Sequence, residues 1–220
     1  MFQVFYLIAK EFHLELRRKS VIAGLAVYLF ATVFICYLIF ALRQNLITPL
    51  VWAALFWITI LFTLVNTIAK SFIGEKKGSD IYFYSLVSPT AIIVSKIAYN
   101  FILSAVLSFS GLFLFILFLQ NPLADVGWFA LLILLTSFGF SAALTLLSGI
   151  ASKAQNSNIL MAILSFPVVI SILLMAIKVT RHCLDGLDRA VSVDEMLSLT
   201  AINCLLAAAS YLLFPYIWRS

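Results

Sequence analysis

KSFIGEKKGSDIYFYSLVSPTAIIVSK, residues 70–96, decides how this chain is read. It is the longest run that cannot sit comfortably in lipid, with two hydrophobic stretches before it and four after it. Lys70, Lys76, Lys77 and Lys96 punctuate it, yet it is no polar linker. After Gly78 comes the aromatic, apolar run Ile81, Tyr82, Phe83, Tyr84, Leu86 and Val87, and then Ser88-Pro89 opens a new helix. A short amphipathic element flanked by lysines and lying against a membrane is a surface suited to a partner protein. The expected contacts are Glu75, Lys76, Lys77, Gly78, Asp80, Tyr82, Tyr84, Leu86, Pro89 and Lys96.

The rest of the chain places that stretch in a bilayer. Of 220 residues, 64% are hydrophobic and only 10% charged, and the mean hydropathy is +1.14. Soluble domains carry about 25% charged residues, so the composition specifies a polytopic membrane protein. Six stretches reach the roughly 20 apolar residues that a spanning helix needs: 21–42, 50–70, 90–119, 127–152, 159–178 and 195–217. The expected fold is therefore an all-α membrane domain of six transmembrane helices spanning residues 1–220. Thr48-Pro49 and Ser88-Pro89 each set a capping hydroxyl before a proline at the first helical position. Asn121-Pro122 breaks the chain between spans three and four, and Ser192-Val-Asp-Glu195 has the spacing of a capping box.

Residues 2–19 have helical amphipathicity, with Phe2, Phe5, Ile8, Ala9, Phe12 and Leu16 on one face. Gln3, Lys10, Glu11, Arg17 and Arg18 fall on the other, as in an interfacial helix. The apolar run that follows is too long for a cleavable signal. Topology follows from the cations. With the N-terminus inside, the cytoplasmic side carries Lys10, Arg17, Arg18, Lys19, Lys70, Lys76, Lys77, Lys96, Lys153 and Arg219. The opposite side carries Arg43, Lys178, Arg181 and Arg189. That bias predicts cytoplasmic termini, a cytoplasmic segment at 71–89 and an outer loop at 179–194.

The net charge of +5 is thus a matter of topology and gives no reason to expect nucleic acid. No phosphate-binding loop, HExxH helix or GxSxG elbow is present, so no enzymatic role is expected and any energy input would come from a partner. Proton- or sodium-coupled transport would call for intramembrane carboxylates, and the interiors of the spans carry none. Ser137, Ser141, Thr145 and Gly149 recur every four residues in the fourth span, and Ser104, Ser108 and Gly111 do much the same in the third. Small residues at that spacing serve close helix packing within the chain, or else a seam between two copies or a substrate path. The scattered Cys36, Cys183 and Cys204 form neither a disulfide framework nor a zinc site. His182, in the outer stretch, is a candidate haem or metal contact against a background of simply solvated histidines. The tryptophans and tyrosines read as an interfacial belt.

An interfacial N-terminal helix, six spans and a cytoplasmic segment between spans two and three look like a type-2 ABC exporter permease. VWAALF at 51–56, FIGEKKGSDIYFYSLVSPTAIIVSK at 72–96 and GFSAALTLLSGIASKAQNSNILMAILSFPVVISILL at 139–174 resemble the haem exporter B family, CcmB, of cytochrome c maturation. The acid after the glycine of the cytoplasmic segment stands at Asp80, displaced from the GxLExL pattern common in that family. The resemblance implies an inner-membrane permease working with a separate ATPase (CcmA-like), a haem-handling membrane protein (CcmC-like) and a small subunit (CcmD-like). ATP would act only through the partner, with haem as cargo or its release on a periplasmic chaperone as the output. The same architecture also suits a type-2 permease for a lipid-linked glycan or a drug, or a scaffold that transports nothing.

Overall fold

The structure is a computed structural model that describes residues 2–17, 19–41, 47–73, 88–154 and 157–219. Among these residues there are helices and no strands: α1 (Phe2–Arg17), α2 (Lys19–Ala41), α3 (Pro49–Ile68), the single turn α4 (Lys70–Ile73), α5 (Pro89–Leu119), α6 (Val126–Ser152), α7 (Ser157–Asp185) and α8 (Val193–Arg219), with a 3-10 turn at Arg189–Ser192. Six of them are long and apolar enough to cross a membrane.

The proline starts form as the sequence predicts. Thr48 accepts the Val51 N–H at the head of α3, and Ser88 accepts the Ala91 N–H at the head of α5. Each hydroxyl satisfies a donor that the helix cannot. At the far end of α5, Gln120 turns the chain at φ 64°. The Asn121 side chain then accepts the Leu123 N–H, and Asp125 caps α6 through the Trp128 N–H. The expected capping box at Ser192 is not what that hydroxyl does. It accepts the Trp128 indole N–H at 2.8 Å and donates to Arg189 O at 3.2 Å, so it ties α6 to the 3-10 turn.

Helix α6 is the hub. Within its most apolar window 72% of the residues are buried, against 11% for α2, because α6 is enclosed by α5, α7 and α8. Its small residues permit this. A Cβ at Gly139 would collide with the Asn203 side-chain oxygen of α8, and one at Gly149 would sit 3.1 Å from the Phe214 ring. Across α3, α5 and α6 an aromatic stack fills the other half of the core. Phe56 lies 5.5 Å from Phe115 and 5.4 Å from Phe129, with Trp52 stacked on Phe56 at 5.6 Å. Trp52 and Trp57 are therefore core residues, not members of an interfacial belt. Edge-to-face and stacked rings of this kind pack without leaving voids and add to plain area burial.

The stretch expected as an outer loop at 179–194 is largely helical. Helix α7 continues to Asp185 because Val179, Thr180 and Cys183 are buried and Thr180 accepts the Trp57 indole N–H at 2.9 Å. Gly186, at φ +65°, provides the left-handed turn that stops it.

Candidate coupling site

At one end of the bundle α1, α4, the start of α5 and the ends of α6 and α8 converge. Leu7, Phe72, Ile93, Ala142, Phe214 and Trp218 share one buried apolar cluster there. The N-terminal helix and the C-terminal turn thus lie beside the two ends of the chain that lead into and out of residues 74–87. Of the expected docking residues, Glu75, Lys76, Lys77, Gly78, Asp80, Tyr82, Tyr84 and Leu86 lie outside the described residues. Pro89 stands at the first turn of α5, where the Ser88 cap fixes the helix start.

Lys96 is placed differently from its expected docking role. It is 4% exposed, and its ammonium turns inward. Nζ donates to Ser71 O at 2.8 Å, lies 3.6 Å from Glu11 Oε1 and sits 4.7 Å over the Phe72 ring. An ammonium this far from solvent needs such partners, since an unpaired charge in an apolar setting is costly. The reason lies in α4. A helix end leaves its last carbonyls without intrahelical partners, and here neighbouring helices supply them. Ser148 of α6 donates to Ala69 O at 2.8 Å and accepts the Phe72 N–H at 3.1 Å.

One turn along α5 from Lys96, Asn100 extends the same clasp. Its side-chain NH2 donates to Thr145 Oγ1 at 2.7 Å and to Ser71 Oγ at 3.1 Å. Phe72 then stacks beside Phe214 at 5.2 Å, and Phe214 beside Trp218 at 5.6 Å. The short α4 is consequently gripped by α5, α6 and α8 together, by polar groups on one side and rings on the other.

The predicted packing residues fall into two groups. Thr145 and Gly149 belong to the clasp, through Asn100 and through the space that Gly149 leaves for Phe214 and Phe72. Ser137 and Ser141 continue the buried face of α6 beyond it. Glu11, Ser71, Phe72, Ser148 and Phe214 were not singled out by sequence as parts of a site. The periodicity places Glu11 on the polar face of α1. In the structure Leu7 is buried and Glu11 half-buried, while Phe5 is 79% exposed. Phe12 of the apolar face packs edge-on against Tyr99 of α5 at 5.1 Å, and the polar face meets α5 through Glu11 and Lys96. Only the i, i+4 spacing of Lys96 and Asn100, continued by Ser104, carried a readable signal.

At the opposite end His182 occupies the last turn of α7. Its Nδ1 is buried without a hydrogen-bond partner. Among the described residues, no group of three His, Cys, Asp or Glu side chains could hold a metal ion. The polar chemistry nearby is structural. Arg189 donates to both oxygens of Asp125, at 2.6 and 3.1 Å, and the Ala124 N–H donates to Cys183 O. That guanidinium hydrogen bond is the main reason the Asp125 carboxyl lies below its ordinary pKa, with the Trp128 N–H adding to it.

No curated protein and no solved structure matched the chain. A family model did, over residues 2–214: the chain belongs to the CcmB protein family, and with it to the ABC-type haem-export systems of cytochrome c maturation.

Proposed function

We propose that this chain is the permease subunit through which a CcmA-like ATPase drives haem export, or the release of haem-loaded periplasmic chaperone, in c-type cytochrome biogenesis. Residues 74–87 dock on the ATPase from the cytoplasmic side, and both termini share that side. The observation that carries the reading is the clasp around α4. The chain enters the docking segment from a turn fixed by Ser148 and Lys96, and leaves it at a proline-started helix whose first turns hold that same lysine. Displacement of the docking segment is therefore delivered to α5 and α6 instead of being absorbed in a slack linker.

In this reading the residues divide by task. The aromatic run with Tyr82, Tyr84 and Leu86 anchors in a groove of the partner, where truncating a buried aromatic costs about 2 kcal/mol or more. Lys76 and Lys77 flank it. Lys96 works inside the subunit as a positioning residue. The CcmC-like and CcmD-like components complete the assembly within the membrane.

The test is Tyr84→Ala and Gly78→Pro, each measured for membrane abundance of the subunit and for c-type cytochrome maturation in cells. Abundance should hold while maturation falls. Normal maturation in both variants would refute the docking role, and a purified native complex without an ATPase would remove the proposed engine.

A further inference from the structure

A groove of about 360 Å3 runs along α5, walled by α1 and α2 and starting one turn beyond the Lys96 clasp. Its floor on α5 is the stripe from Tyr99 through Leu103, Val106 and Ser110 to Leu114. At one end Phe12 of α1 packs edge-on against Tyr99, at 5.1 Å. Deeper in, Leu29 of α2 is 2% exposed, and its Cδ1 lies 3.7 Å from where a Cβ on Gly111 would stand. The sequence explains the gap between these two contacts. A turn before Leu29, α2 offers the groove only the methyl of Ala26, and even a Cβ added at Gly24 would meet nothing within 4 Å.

The dimensions of the groove say what fits. From Tyr99 to Leu114 the stripe is about 22 Å long at 1.5 Å per residue. Spread over that length, the volume gives a mean section of about 16 Å2. A hydrocarbon chain at van der Waals contact is about 4 Å across, or about 13 Å2 in section. A helix with its side chains is about 10 Å across, or about 80 Å2. One chain fits and a helix does not. The groove opens sideways between two spans, where Ile102 and Val106 are 40% and 57% exposed, so membrane lipid reaches it directly. We propose that it holds one acyl chain of a phospholipid, laid along α5 from Tyr99 to Leu114 with the headgroup at the α1 end. The hydrocarbon of one leaflet is only about 15 Å deep, so the chain straightens to follow the stripe. Lipid and groove are both apolar, and packing contact holds the chain there instead of transfer from water. In place, it braces α1 and α2 against α5 across the gap that Ala26 leaves.

The experiment is photolabelling of the full chain in nanodiscs of phosphatidylcholine that carries a diazirine midway along one acyl chain, with the labelled residues mapped by mass spectrometry. The reference is the label on exposed lipid-facing residues outside the groove, Ile163 and Phe166 of α7 and Leu205 and Leu212 of α8. In the wild type the groove residues of α5 and α2 should be labelled in excess of that reference. Ala26→Phe and Ser110→Phe, which fill the groove from opposite walls, should each remove the excess and leave the label on α7 and α8 unchanged, which also establishes that the variant is folded. Label in simple proportion to exposed surface would show bulk lipid only and overturn the assignment. So would an excess that survives both substitutions. Loss of the excess in nanodiscs holding the intact native complex would give the groove to a partner subunit, and would overturn it as well.

Discussion

Replacing Lys96 by methionine tests the clasp with little change in shape, because methionine keeps the apolar stem and loses only the ammonium. Two losses follow. The hydrogen bond to Ser71 O, at 2.8 Å, is of the charged kind worth about 1.5–3 kcal/mol. Glu11 is then left without its cation, with its side chain 19% exposed against 5% for Lys96. Breaking a fully buried pair costs about 3–5 kcal/mol. The partial exposure of Glu11 and the 3.6 Å separation place this case lower, at about 2–3 kcal/mol in all. Glu11→Gln leaves the lysine on Ser71 and should cost about 1 kcal/mol. Combined with Lys96→Met it should cost less than the sum, since no stranded carboxylate remains. Equilibrium unfolding of the purified full chain in mixed micelles gives the three values. Additivity within about 0.3–0.5 kcal/mol would refute the pair. Cytochrome maturation should fall further than subunit abundance in Lys96→Met; a parallel fall would reduce Lys96 to a purely structural role.

Gly139→Ala should destabilise by about 1–3 kcal/mol through overpacking against Asn203. Asn203→Ala in the same chain should recover much of that loss, read by the same unfolding assay. Gln120→Gly should stabilise by about 1 kcal/mol by releasing the positive-φ strain, and an unchanged midpoint would count against that strain. The Asp125 carboxyl is held below its ordinary pKa by Arg189. Its contribution is therefore present above the unfolded value, about pH 3.9, and is lost as pH falls through the lower folded value. The stability difference between wild type and Arg189→Gln should be constant near neutrality and shrink on acidification through that range. A difference independent of pH down to the acid limb would refute the linkage.

The spans and their two proline starts were legible because they rest on composition and on a local rule: about 20 apolar residues, and a hydroxyl before a proline. The site was less legible. Lys96 looks like a cytoplasmic charge in a list of cations, and only the orphan carbonyls of α4 explain why it turns inward. Nothing local to Glu11 tells which edge of α1 meets α5. Trp52 and Trp57 have the composition of a membrane-interface belt, but their burial depends on Phe115 and Phe129, which are remote in sequence. His182 and Arg181 suggested a loop, whereas α7 runs on because its inward side, Val179, Thr180 and Cys183, stays apolar enough to pack. In each case periodicity gave the element, and pairing between elements decided the role.

The two ends of the bundle differ in kind, and α5 joins them without interruption. It is one helix of 31 residues, about 46 Å long at 1.5 Å per residue, and its proline stands in the first turn, where it costs no hydrogen bond. Near its start Lys96 and Asn100 hold α4 and α6; near its finish Phe115 meets the aromatic stack and Gln120 turns the chain. A tilt of about 5° about its Pro89 end would move its far end by about 4 Å for a rod of that length. Gly111 already brings α5 so close to Ile60 that a Cβ would fall 2.7 Å from the Ile60 side chain. So close an approach favours α3 and α5 moving together. Under the proposed docking role, a push at residues 74–87 would reach the opposite end of the bundle as a shift of the α3–α5 pair relative to α2.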